Sequence, residues 1–213
     1  IEALRDEIGD IYCITGYITD PFSISPGIWG FERFLSDLKY NPEIVHQLLE
    51  STTEVAIDYG KAQKKAGVDW IVMLVSWANP DIIGRQRFLE FALPYDKRVI
   101  KELGGVSFVM AGNLSSVLEE IIRESNPIGV FVDYVENMKE TKRIMTGKKA
   151  YVRAAINPSV VRFGTPKEVK KECSRLIEEW SGTKGFMLGS GVIPLDSPSE
   201  NVNAIVESAE RAR

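Results

Sequence analysis

The chain has 213 residues, 44% hydrophobic and 26% charged, with 17 glycines, 10 prolines, two cysteines and one histidine. Its 26 Lys+Arg against 30 Asp+Glu leave a net charge of -4 and a pI near 5.3, without the basic stripe that phosphate backbones require, so no nucleic-acid partner is expected. No apolar run approaches the roughly 18 residues of a membrane span and no signal-peptide pattern opens the chain; one cytoplasmic domain over residues 1–213 is expected.

In chain order, IEALRDEIGD reads as a helix, and because the chain opens at Ile1 without an initiator Met, something upstream is expected. IYCITGYI (Ile11 to Ile18) is the first of six short apolar runs. WIVMLV (Trp70 to Val75), VSFVMAG (Val106 to Gly112), IGVFVDYV (Ile128 to Val135), AYVRAAI (Ala150 to Ile156) and GFMLGSG (Gly185 to Gly191) follow. Their near-continuous apolarity predicts strands covered on both faces, as in a parallel sheet. Between them, PEIVHQLLESTTEVAIDYGKAQKKAG, GRQRFLEFALPYDKRVIKELGG, SSVLEEIIRES and PKEVKKECSRLIEEWSG carry apolar residues three and four apart, and several stop at Gly or next to Pro. These are predicted helices. Cys13, in a strand-like run, and Cys173, in a helix-like one, match neither a disulfide framework nor a metal knuckle and read as buried or half-buried thiols.

Alternating strands and helices predict an α/β protein, either an open doubly wound sheet or a (β/α)8 barrel. The phosphate-binding glycine turns of the open sheet, GxGxxG and GxxxxGK[ST], do not occur. Polar residues cluster just after the strands instead: Thr19-Asp20-Pro21, Ser76-Trp77-Ala78-Asn79, Asn113-Leu114-Ser115, Asn157-Pro158 and Ser190-Gly191. Chemistry at the C-terminal strand ends is the habit of the barrel, and on that reading roughly two βα units are expected before Ile1.

The closing text, GFMLGSGVIPLDSPSENVNAIVESA (Gly185 to Ala209), resembles the uroporphyrinogen decarboxylase superfamily, in which a Gly-x-Gly turn is followed by Ile-Pro and by Glu-Asn-Val opening the last helix. GYITDPFSI, AGVDWIVMLVSWAN, LEFALPYDKRVIKEL, IGVFVDYV and INPSVVRFGTPKEV resemble further family segments in the same order, from about Ile11 onward. The resemblance implies a (β/α)8 barrel with one of two chemistries. One branch decarboxylates the acetate arms of uroporphyrinogen without a cofactor. The other moves methyl groups to or from a corrinoid, and its coenzyme M-linked members activate the acceptor thiol with zinc.

In that thiol-activating branch a strand ends His-x-Cys-Gly-Asn, where this chain reads Val109-Met110-Ala111-Gly112-Asn113, and the third ligand falls in the last Gly-x-Gly turn, here Gly189-Ser190-Gly191. Val, Ala and Ser offer neither sulfur nor imidazole, so no thiolate-zinc site of that type is expected. The decarboxylase carries His at the position of Ser190 and a Tyr near Gly27, both replaced, although Ser76 matches its substrate-facing Ser. AGNLSSVLEEI resembles the methyl-transfer text better than the decarboxylase text. The resemblance therefore favours transfer of a methyl group between a small methylated substrate and a corrinoid carried by a partner protein, with decarboxylation or a non-catalytic ligand-binding barrel as alternatives, and a homodimer is possible.

Asp133 and Asn113 are the catalytic candidates; Ser76, Asn79, Asn157, Ser190, Trp29 and Trp77 are the substrate-binding ones. Asp133 closes an apolar strand, where a carboxylate needs a purpose or a partner such as Arg153 or the next helix. Asn113 either orients a substrate oxygen or caps the helix beginning SSVLEE. Ser190, between glycines, permits close approach of a ligand or is plain loop geometry. Trp29, Trp77 and Phe31 form apolar pocket walls or core. Arg33, Arg85 and Arg87 bind anionic tails or are solvated. His46, the single histidine, reads as a surface or helix-packing residue.

Overall fold

The structure, a computed structural model, describes residues 1–110, 112–134 and 137–212. Ala111 and Val135, which belong to sequence runs quoted above, lie outside the described residues. Six strands, β1 (Thr15–Thr19), β2 (Trp70–Val75), β3 (Val106–Met110), β4 (Gly129–Val132), β5 (Tyr151–Ile156) and β6 (Phe186–Ser190), form one sheet in consecutive order. Every neighbouring pair is parallel. Helix α1 (Glu2–Ile8) precedes β1, and α2 (Pro21–Trp29), α3 (Phe31–Tyr40) and α4 (Pro42–Lys65) lead to β2. Next come α5 (Pro80–Ile83), α6 (Arg85–Phe91) and α7 (Leu93–Leu103), then α8 (Leu118–Ser125) after β3 and α9 (Met138–Met145) after β4. Helices α10 (Pro158–Phe163) and α11 (Pro166–Glu179) join β5 to β6, and α12 (Ser199–Arg211) follows.

The six strands and the quoted helices follow in the predicted order, with α2, α3, α5, α9 and α10 added between them, and three readings differ. The first strand begins at Thr15, not Ile11, and Cys13 is exposed in the preceding turn, whereas Cys173 is buried as expected. The run from Gly84 to Gly105 is two helices, because Ala92, just before Leu93-Pro94, has φ -114° and ψ -60°, off the helical values. The strands are also not sealed on both faces. One row of side chains, including Ile71, Met73, Phe108, Val130 and Val152, is buried to 2% exposure or less in the core beneath the helices. The other row faces a cavity touched by residues of all six strands, so the sheet is curved into an open arc with that row inside. Tyr17 on this inner face is 52% exposed and Met187 39%. An open arc encloses its inner row only partly, and so the apolar runs do not correspond to full burial.

The outer edge of β1 is managed by a side chain. Gln63 of α4 donates from Nε2 to the Tyr17 carbonyl (2.8 Å) and accepts the Tyr17 N–H on Oε1 (3.0 Å), which mimics a neighbouring strand. Gly16 makes this possible, since a Cβ there would lie 2.3 Å from Gln63 Oε1. Gln63→Leu keeps the volume and removes both partners. It is expected to destabilise the chain by about 1–3 kcal/mol in urea denaturation.

Candidate active site at the strand ends

Three loops that leave the strands are built alike. Asp20, Asn79 and Asn157 each sit in extended backbone, accept a helix N–H on the side chain and are followed by Pro at the first helical turn. Asx residues suit this position because the short oxygen reaches an orphan N–H, and Pro has no N–H to lose there. The polar clusters after these strands are therefore largely caps. Asn79 Oδ1 accepts the N–H of Asp81, and Asn157 Oδ1 accepts that of Ser159. Asn113 closes a tight turn of its own, its Oδ1 accepting from the N–H of Ser115 (3.2 Å) and from the Ser115 hydroxyl (2.5 Å). It does not cap α8, whose first turn has no side-chain cap.

The inner face and the strand ends enclose a cavity of about 610 Å³. Val72, Leu74, Val109, Phe131 and Val192 supply apolar wall, while Ser76, Asp133, Arg153 and Ser190 bring polar groups. Of the candidates, Asp133, Ser76 and Ser190 thus converge. Asp133 is held by backbone donors, Oδ2 taking the Gly112 N–H (3.1 Å) and Oδ1 the Tyr134 N–H (2.6 Å). Neither expected partner, a helix start nor Arg153, is the one observed. Ser76 is placed by Ser23, whose Oγ accepts the N–H of both Ser76 (3.0 Å) and Trp77 (2.9 Å).

The sequence offers Arg153 only as a partner for Asp133, yet it is the cation of this cavity. Its guanidinium lies 4.5 Å from the centre of the Phe131 ring and donates to the Ser190 carbonyl (2.8 Å). It passes directly over Gly189, where a Cβ would fall 2.4 Å from Nε. The Gly-Ser-Gly turn is thus neither simple loop geometry nor only a ligand approach; its first glycine makes room for Arg153. Burial pushes the Arg153 guanidinium down from its ordinary range, and Tyr17 and Tyr151 act in the opposite direction.

The remaining candidates lie elsewhere. Trp29 donates from Nε1 to Asp37 (2.8 Å) under the guanidinium of Arg33, and Trp77 packs edge-on against Phe31 with ring centres 4.9 Å apart. Arg85 pairs with Glu120 and Arg87 reaches the Ile83 carbonyl. His46 bonds the Tyr95 hydroxyl through Nδ1 (2.8 Å) and stacks on Phe91, which is the helix-packing role. Zinc does not fit the cavity's donor set: Val109 and Ser190 stand where the resemblance puts ligands, and among the described residues no three His, Cys, Asp or Glu side chains gather.

Behind the β1 and β2 ends lies a feature with no sequence signal. Asp20 and Asp96 are fully buried, and among the described residues neither oxygen of Asp96 nor Oδ1 of Asp20 has a hydrogen-bond partner. Burial pushes the Asp20 carboxyl up to about 7, against N–H groups of Ser23 and Ser76 that favour its charged form. Burial, and then repulsion from Asp20, holds Asp96 well above the usual carboxylate range. Only a fold that brings α7 against α2 puts the two carboxyls together.

A curved parallel sheet in consecutive order, with polar groups converging at the C-terminal ends of its strands, is the architecture of the (β/α)-barrel class, here as an open arc of six strands. The family profile of uroporphyrinogen decarboxylase (URO-D) matches residues 1–212, and the chain belongs to this family. The match takes in α1, upstream of the text that carried the resemblance. A uroporphyrinogen decarboxylase of Nostoc punctiforme is 26% identical over 99% of the chain and 61% of its own length. The methylcobamide:CoM methyltransferase MtbA of Methanosarcina acetivorans is likewise 26% identical, over 99% of the chain and 61% of its length. A solved methyltransferase structure from Methanosarcina mazei shares the fold with a TM-score of 0.87 at 22% identity, covering 99% of the chain and 62% of that protein. The chain thus spans about three-fifths of the length of these relatives, which are decarboxylases and methyltransferases alike. Among the described residues no helix is long and apolar enough to cross a membrane.

Because burial holds the folded carboxyls of Asp20 and Asp96 above the unfolded value of 3.8, the stability they contribute is full below that pH and is lost as pH rises through their folded values, about 7 for Asp20. Asp96→Asn is expected to flatten this profile and to melt higher than the parent at about pH 8, by on the order of 1 kcal/mol or more. Thermal melts of the two chains across this pH range check the prediction.

Proposed function

We propose that this cavity binds a small methylated substrate and that the chain serves an enzyme which passes the methyl group between that substrate and a corrinoid carried by a partner protein, without thiolate-zinc activation. The observation that carries the reading is the cavity itself. Its wall is mainly apolar and, among the described residues, its charged groups are one carboxylate and one guanidinium, Asp133 and Arg153, which suits a small, largely apolar molecule better than a polycarboxylate. The similarity to a methylcobamide:CoM methyltransferase over 99% of the chain supports the same reaction class.

The cavity opens to solvent past Val192, 90% exposed, and Tyr134, 43% exposed, as docking of a separate carrier requires. A bound corrinoid supplies the cobalt that holds the methyl group. The residues of this chain do the rest. The apolar wall packs the substrate and excludes water from it, and Ser76 and Ser190 orient its polar atoms. When the bond from methyl carbon to heteroatom breaks, the electron pair stays on the heteroatom, which then takes one proton. Asp133, the carboxylate at the cavity held in place by Gly112 and Tyr134, takes that proton from solvent and passes it to the heteroatom as the general acid.

The full chain is to be mixed with reduced cobalamin and methoxylated or methylamine donors, and in reverse with methylcobalamin and methyl acceptors, while the corrinoid spectrum is followed. Donor-dependent formation of methylcobalamin is expected. Asp133→Asn should slow it roughly a hundred- to ten-thousandfold. A spectrum unchanged in both directions, with carbon dioxide released from uroporphyrinogen instead, would replace this reading by decarboxylation, for which Ser76 at the cavity is the supporting residue.

A further inference from the structure

We infer that the cavity is built for a small carboxylate with an apolar body, and that Arg153 is the residue that selects it. This deepens the function proposed above and rests on it only for the identity of the reaction.

Arg153 stands on the inner face of β5, half-buried, and none of the ion pairs formed among the described residues includes it. A half-buried guanidinium with no counter-charge among the described residues is costly, so a fold that keeps one has a use for it. The carboxylate best placed to neutralise it, Asp133 at the same cavity, is instead held by the N–H groups of Gly112 and Tyr134. One guanidinium N–H is committed to the Ser190 carbonyl, which leaves donors of the planar fork for a ligand.

The surroundings then fix its orientation. The ring of Phe131 lies under the guanidinium, and Gly189 leaves open the space through which the side chain runs. A guanidinium anchored by a ring, a carbonyl and a glycine gap is preorganised for a planar, two-oxygen acceptor, which is a carboxylate. Val72, Leu74 and Val109 line the rest of the space, so the body attached to the carboxylate is apolar. A cavity of about 610 Å³ holds one such molecule.

Binding to the full chain is measured by titration calorimetry with three probes: benzoate, its uncharged counterpart benzamide, and inorganic phosphate. Benzoate is expected to bind saturably, and the other two at least roughly tenfold more weakly. Arg153→Met should weaken benzoate roughly 10- to 100-fold, and Arg153→Lys should restore part of the loss. Gly189→Ala, whose new Cβ displaces the guanidinium, should weaken benzoate while leaving Arg153 in the sequence. Benzamide binding as well as benzoate, or benzoate affinity unchanged in both Arg153→Met and Gly189→Ala, would overturn the inference. The comparison of probes on the unaltered chain applies the same test even where a variant fails to fold. Phosphate equal to benzoate would overturn the apolar carboxylate in favour of a plain oxyanion site. Arg153-dependent benzoate binding with no methyl transfer from any donor sinks the proposed reaction and leaves the carboxylate site standing. Equal turnover of neutral and acidic methyl donors does the reverse.

Discussion

The parallel ladder running in unbroken order from β1 to β6 is the constraint on which everything else depends. Each strand pairs with the next in the chain, and one row of side chains along β1 to β5 is buried in a core formed with the helices, against which Phe186 and Leu188 of β6 pack half-buried. Since alternate residues of a strand face opposite ways, committing one row to that core leaves the other row to converge inside the arc. Tyr17, Phe131 and Arg153 become neighbours of one cavity although they lie on strands far apart in sequence. The amide of Gln63 completes the edge of β1 in the same hydrogen-bonding language.

At the strand ends two kinds of polar residue look alike in sequence and differ in work. Asp20, Asn79 and Asn157 turn the chain from strand to helix through an Asx cap and a following proline. Asp133, Ser76, Ser190 and Arg153 face the cavity. The two kinds are linked behind the sheet, because Ser23, in the helix that Asp20 caps, holds the N–H groups of Ser76 and Trp77. The buried Asp20 and Asp96 therefore belong to the scaffold of the mouth and not to its lining.

Val109 and Ser190, which offer no soft metal ligand, line the cavity together with the strand-end carboxylate of Asp133. The same turn that carries Ser190 gives up a side chain at Gly189 so that Arg153 can lie across it.

By itself the sequence determined the α/β class, the parallel sheet and the family, and it offered Asp133, Ser76 and Ser190 as site candidates without separating them from Asn79, Asn113, Asn157, Trp29 and Trp77. Each of these is written in local patterns: apolar runs, helical spacing, glycine and proline punctuation, and short motifs. The break at Ala92 and the late start of β1 were not legible, because boundaries depend on packing as much as on residue type. Nor were the partners of Asp133, the helix-capping work of Asn79 and Asn157, the meeting of Asp20 with Asp96, or the route of Arg153 over Gly189. The two caps are local bonds to the residue two positions on, but the Gly112 partner of Asp133, the meeting of Asp20 with Asp96 and the route of Arg153 rest on contacts between residues tens of positions apart, which only the curvature of the sheet and the packing of the helices bring within reach of each other.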